Sequence, residues 1–115
     1  GHIGYTPQFK KNFKLEGITK KEIHSLLDEA GSIENAGAFS IVLECLTSKS
    51  AKLITNKIKI PTIGIGSSSY CDGQILVTDD MLGLSGFYPK FVAQLSDFRQ
   101  IPCRHKRDTH FRAAH

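Results

Sequence analysis

Glu44 closes the stretch Phe39-Ser40-Ile41-Val42-Leu43, which is short, β-branched and almost wholly apolar. That is how a parallel strand covered on both faces reads. A carboxylate at the end of such a strand loses hydration, which raises its proton affinity and suits it to proton transfer. Two plainer roles stay open for Glu44, capping the following helix or pairing with a lysine. In parallel α/β folds the residues just beyond the strands line the active face. The same rule therefore groups His2 and the Gly66-Ser67-Ser68-Ser69 turn with Glu44 on one rim. His2 has the right chemistry for substrate contact, although a single histidine in a loop is more often a solvated surface residue. Gly64-x-Gly66 lacks the third glycine and the immediate helix of a dinucleotide fingerprint. Asp79 and Asp80 could ligate magnesium, but adjacent acids ahead of a helix more often serve its N-terminus.

These residues need elements to hold them. Gly1 to Gln8, with two glycines and a proline, suits a loop leaving a strand, and that loop runs on to Lys14. Thr19 and Glu22 form a capping box, with Ile23, Leu26, Leu27 and Ala30 at helical spacing, so a helix is expected from about Lys20 to Asn35, with Gly37 as its stop. Ser48 is the expected N-cap of a second helix whose buried stripe is Ala51, Ile54 and Ile58, ended by Pro61. Thr62-Ile63-Gly64-Ile65 reads as another buried strand. Gly66 to Ser69 reads as a flexible turn, Gln74 to Val77 as a third strand, and Met81-Leu82 as a helical turn. Alternating strands and helices define an α/β fold with parallel strands. Three such strands make a poor isolated domain, since parallel strands need neighbours and both edges would expose their backbone ladders, and a complete (β/α)8 barrel takes about 250 residues. Half of a barrel is the expected architecture, and a doubly wound sheet is the alternative.

Composition removes several function classes. No stretch approaches the roughly 20 apolar residues of a membrane span, and the N-terminus lacks the order of a signal peptide. Cys45, Cys71 and Cys103 have no Cys-x-x-Cys spacing, so neither a disulfide framework nor a structural zinc site is indicated, and a reducing cytoplasmic setting is expected. The net charge of +4 is concentrated near the end, in Arg99, Arg104, Lys106, Arg107 and Arg112. Without apolar periodicity and with Phe111 as its only stacking aromatic, that tail is a weak case for nucleic-acid binding.

Six blocks, taken in order, closely resemble ketopantoate hydroxymethyltransferase. They are Gly1-His2-Ile3-Gly4-Tyr5-Thr6-Pro7-Gln8, Ile41-Val42-Leu43-Glu44-Cys45, Ile60-Pro61-Thr62-Ile63-Gly64-Ile65-Gly66, Cys71-Asp72-Gly73-Gln74-Ile75-Leu76-Val77, Asp80-Met81-Leu82-Gly83 and Pro89-Lys90-Phe91. Their order and spacing match the C-terminal half of that family, from Gly1 to about Phe98. The resemblance implies a (β/α)8 TIM-type barrel that makes ketopantoate from 3-methyl-2-oxobutanoate and methylene-tetrahydrofolate, on the route to pantothenate and coenzyme A. It implies a magnesium ion that holds the keto acid, homo-oligomeric assembly, Glu44 as proton acceptor and His2 on the wall of the substrate site. The family's magnesium-binding aspartates and a substrate-contacting lysine belong to its N-terminal half, so no metal ligand is expected in this chain and a separate N-terminal partner could supply them.

The chain departs from the family at three places. Gly66 is followed by Ser67-Ser68-Ser69 where Ala-Gly is usual, Asp79 stands where histidine is common, and Arg99 to His115 is a basic, non-periodic tail in place of an amphipathic helix. Residues 1–98 are therefore expected to form a partial barrel and 99–115 a divergent tail. Two classes of function follow: a half-enzyme that works when joined to its partner, or a non-catalytic remnant acting as an oligomerising or binding protein.

Overall fold

The computed structural model describes residues 1–5 and 14–84. The chain divides into two compact units, Gly1–Leu76 and Val77–His115. The first unit runs β1 (His2–Gly4), α1 (Lys20–Asn35), β2 (Ile41–Glu44), α2 (Ser48–Lys57), β3 (Thr62–Ile65) and β4 (Gly73–Gln74). In the second, α3 (Thr78–Met81) carries Asp79 and Asp80 in its first turn, which agrees with their reading as helix N-terminal acids.

The four strands lie in the order β1-β2-β3-β4, and every neighbouring pair is parallel. Side chains alternate across a strand, so the register sets Ile3, Ile41, Leu43 and Thr62 on one face and His2, Val42, Glu44, Ile63 and Ile65 on the other. On the first face Ile3, Ile41 and Leu43 form one core with Leu26 and Ala30 of α1 and Ala51, Ile54 and Ile58 of α2. Both helices thus cover the same side of the sheet. A doubly wound sheet reverses its strand order and puts helices on both faces. Sequential order with helices on one face is the wall of a (β/α)8 barrel, which sets the alternative aside.

Local chemistry explains the elements. Thr19 accepts a hydrogen bond from the Glu22 amide while the Glu22 carboxylate accepts from the Thr19 and Ile18 amides, the expected capping box. These amides hold the Glu22 carboxyl below its ordinary value. Gly37, with φ of 89°, follows the C-cap Ala36. Gly31 lies inside α1 with open space where a side chain would sit. Gly31→Ala is therefore expected to stabilise the fold by about 0.5–1 kcal/mol through the restricted unfolded chain, read as a higher urea midpoint.

Four expectations change. His2 sits in strand β1 rather than in a loop, because its backbone pairs with Val42. The cap of α2 is Thr47, not Ser48; its hydroxyl accepts from the Ser50 amide and donates to the Gly17 carbonyl at 2.9 Å. Strand β2 begins at Ile41, and Phe39 is 88% exposed. The third expected strand shrinks to Gly73–Gln74, and Ile75, Leu76 and Val77 are exposed. The consecutive apolar residues Ile75, Leu76 and Val77 cannot reveal that a ladder stops after two residues. The expected boundary after Phe98 and the basic tail lie outside the described residues.

Candidate functional site

Glu44 is the last residue of β2, and it shares a sheet face with His2 because His2 pairs with Val42, two residues before it. The His2 Nε2 lies 3.0 Å from the Glu44 Oε2. An ionised carboxylate only accepts hydrogen bonds, so Nε2 carries the hydrogen and donates it. The Glu44 side chain keeps 18% of its exposure and that of His2 35%, so the pair is partly shielded yet reachable from solvent. Neither plainer role of Glu44 is realised among the described residues: Thr47 caps α2, and the partner of the carboxylate is an imidazole, not a lysine.

The backbone around this pair is tightly held. Gly4, with φ of 97°, pairs with Glu44, and a Cβ added there would fall on the Glu44 carbonyl oxygen. Glycine permits that approach, after which the Tyr5 amide donates to the same carbonyl at 3.0 Å. Cys45, with φ of 55°, is a rare left-handed non-glycine residue. Its amide donates to Ile65 and its carbonyl accepts from Glu16, each at 2.9 Å.

The two cysteines among the described residues, Cys45 and Cys71, are free and buried. Burial, then the charges of Glu44 and Glu16, push the Cys45 thiol from an ordinary 9.0 up to about 12, and burial also raises Cys71. A raised folded-state value favours the folded chain below the unfolded thiol's pKa, and that contribution disappears as pH rises through the folded value. Stability contributed by Cys45 is thus expected to fall between pH 9.0 and about 12. At pH 8, iodoacetamide followed by peptide mass analysis should leave Cys45 unmodified in the folded chain and alkylate it in urea.

Beyond β3, the turn expected to be merely flexible is ordered by side chains. The Ser67 hydroxyl donates to the Leu43 carbonyl at 2.6 Å and accepts from the Leu46 amide at 3.1 Å. Asp72 accepts from the Thr62 amide and hydroxyl at 2.8 and 2.9 Å, and these bonds hold its carboxyl below the usual range. Sequence reasoning grouped Ser67 with Glu44 on one rim but missed these bonds, because their partners lie more than twenty positions away. Only the parallel pairing of β2 with β3 brings them together.

No group of three or more His, Cys, Asp or Glu side chains that could hold a metal occurs among the described residues. His2 and Glu44 supply two donors, engaged with each other. They do not by themselves fit a magnesium ion.

A parallel α/β barrel wall carrying an imidazole–carboxylate pair at a strand exit defines the class of this protein. Residues 1–106 match the family model described as Ketopantoate hydroxymethyltransferase. A 3-methyl-2-oxobutanoate hydroxymethyltransferase of Clostridium beijerinckii is 54% identical over 105 residues, covering 88% of this chain and 38% of the relative. Those of Clostridioides difficile and Pelagibacter ubique are 51% and 48% identical, covering 88% and 87% of the chain and 38% and 39% of the relatives. The chain belongs to the ketopantoate hydroxymethyltransferase family, and it spans under half the length of these relatives.

Proposed function

We propose that this chain forms the proton-accepting wall of an enzyme that transfers a hydroxymethyl group to 3-methyl-2-oxobutanoate, giving ketopantoate. The observation that carries this is the Glu44 carboxylate at the exit of β2, partly shielded and oriented by the His2 ring at 3.0 Å. A carbon–hydrogen bond next to a ketone is weakly acidic, and a base within reach of that carbon lowers the barrier to breaking it. Glu44 takes the proton, and the electron pair of the broken bond enters the enolate. The enolate carbon then forms the new carbon–carbon bond to the one-carbon unit. By the family resemblance, methylene-tetrahydrofolate supplies that unit: both of its methylene carbon–nitrogen bonds break, water gives the oxygen of the new hydroxyl, and the proton taken from carbon together with one from water end on the two nitrogens of tetrahydrofolate. His2 lines the substrate side and fixes the direction of the Glu44 carboxylate.

Bound magnesium would supply electrophilic stabilisation of the enolate oxygen. Its ligands would come from the part of the family's length that this chain does not span, either in the same polypeptide or in a separate N-terminal partner. Homo-oligomeric assembly rests on the same resemblance, and a reducing cytoplasmic setting on the spacing of the cysteines. Among the described residues no helix is long and apolar enough to cross a membrane.

The test is reassembly. The chain is combined with the remaining N-terminal length of a family member, and ketopantoate is assayed with 3-methyl-2-oxobutanoate, methylene-tetrahydrofolate and magnesium. Formation that requires both parts supports the proposal. A properly assembled but inactive mixture would leave the non-catalytic remnant in its place.

A further inference from the structure

We propose that Gln74 is a positioning residue for the substrate site, its side-chain amide lying over Gly64 and holding the far half of the Gly66 to Ser69 turn at the rim beside Glu44. The crossover that begins with this turn, residues 66–72 between β3 and β4, contains no helix. By contrast, α1 joins β1 to β2 and α2 joins β2 to β3. A parallel crossover usually takes about a dozen residues or more, most often with a helix that packs onto the sheet. Without one, this crossover is fastened by side chains. At its β3 end Ser67 bonds to the exit of β2, and at its β4 end the Thr62 amide and hydroxyl donate to Asp72 at 2.8 and 2.9 Å. Between them the Gln74 Nε2 donates to the Ser68 carbonyl at 2.5 Å. The Cys71 amide, at 3.4 Å, is the weaker donor to the same oxygen.

Gly64 opens the path for this bond. It pairs with Leu43 on one side and Gln74 on the other, so all three share the core face of the sheet. A Cβ added to Gly64 would stand 2.9 and 3.0 Å from the nitrogen and oxygen of the Gln74 amide and 3.1 Å from the Cys71 Sγ. Gly64 is not among the glycines with positive φ, so glycine supplies room here rather than backbone freedom. The acceptor is a main-chain carbonyl, so the bond does not depend on which side chains follow Gly66, and Gly64 and Gln74 both lie in blocks that match the family. The turn matters because of where it starts. Ile65, the residue before it, pairs with Glu44, and its carbonyl accepts from the Cys45 amide at 2.9 Å. The groups that line a site must be held to within about 0.5 Å by neighbours that are themselves fixed. With no helix behind it, the Ser68 end of the turn has Gln74 for that neighbour.

That the turn borders a substrate site rests on the function proposed above, whereas the tie itself is testable in the 115-residue chain alone. Nuclear magnetic relaxation of the wild type, Gln74→Met and Gly64→Ala reads the order parameters of the Ser68 and Ser69 amides, and hydrogen exchange of the Leu43 amide shows that the sheet is intact. Methionine keeps the length of the side chain without its donor, and the Gly64→Ala methyl pushes the amide aside, so the two variants reach the same bond independently. Each is expected to lower the order parameters from about 0.85 to below about 0.6. Unchanged values in a variant whose sheet is intact would overturn the proposal. In the reassembled enzyme, Gln74→Met should raise KM for 3-methyl-2-oxobutanoate at least fivefold while kcat changes less than twofold. A loosened turn with KM and kcat both unchanged would also overturn it, because the tie would then serve the fold alone. Wild-type inactivity in that mixture would count against the catalytic reading of Glu44, while the order parameters still decide whether Gln74 holds the turn.

Discussion

Glu44→Gln is expected to lower turnover by the reassembled enzyme about 10²- to 10⁴-fold, the usual contribution of a positioned general base. Glutamine keeps the shape of the side chain and an oxygen that can accept from the His2 ring. It cannot take a proton from carbon near neutral pH. The structure explains why the fold should tolerate the change. The Glu44 side chain lies on the sheet face opposite the core of α1 and α2. It is partly exposed, and its side-chain partner is His2. Steady-state kinetics together with a urea melt would separate the two effects, with kcat collapsing while the unfolding midpoint stays close to that of the wild type.

Gly4→Ala should do the reverse and damage the fold as well as the site. At φ of 97° the backbone of Gly4 is outside the range that alanine readily adopts, a strain of about 1–2 kcal/mol. The added methyl would also meet the Glu44 carbonyl oxygen and approach a Leu46 methyl at 3.1 Å. Neither neighbour yields easily, since the carbonyl is backbone bonded to Tyr5 and Leu46 is fully buried. Overpacking of this kind costs about 1–3 kcal/mol, so a total loss of about 2–5 kcal/mol in urea unfolding is expected. Strand β1 would move away from β2, carrying His2 away from Glu44. A variant as stable as the wild type would show that the close approach of these strands contributes nothing.

Much of this arrangement is legible in the linear sequence. Capping at Thr19, the apolar stripes of α1 and α2, and the runs ending at Glu44 and Ile65 are local signals, and the structure follows them. The parts that are not legible depend on pairing across the sheet. His2 looks like a loop residue until β1 is seen to add to β2, and its contact with Glu44 spans 42 positions. Ser67 looks like turn chemistry until β3 lies beside β2. The left-handed Cys45 carries no local signal, because cysteine is not a residue that marks such a conformation. The choice of α2 cap is a finer case: Thr47 and Ser48 are both good N-caps, and the Gly17 carbonyl settles it by accepting from Thr47.

The proposed proton removal by Glu44 can be isolated from the rest of the reaction. The reassembled enzyme is incubated in deuterium oxide with 3-methyl-2-oxobutanoate and magnesium but no folate, and deuterium at the carbon beside the ketone is followed by nuclear magnetic resonance. Abstraction by Glu44 predicts steady deuterium incorporation in the wild type and at least a hundredfold slower incorporation in Glu44→Gln. Equal incorporation in the two would contradict the role of Glu44 as the proton acceptor.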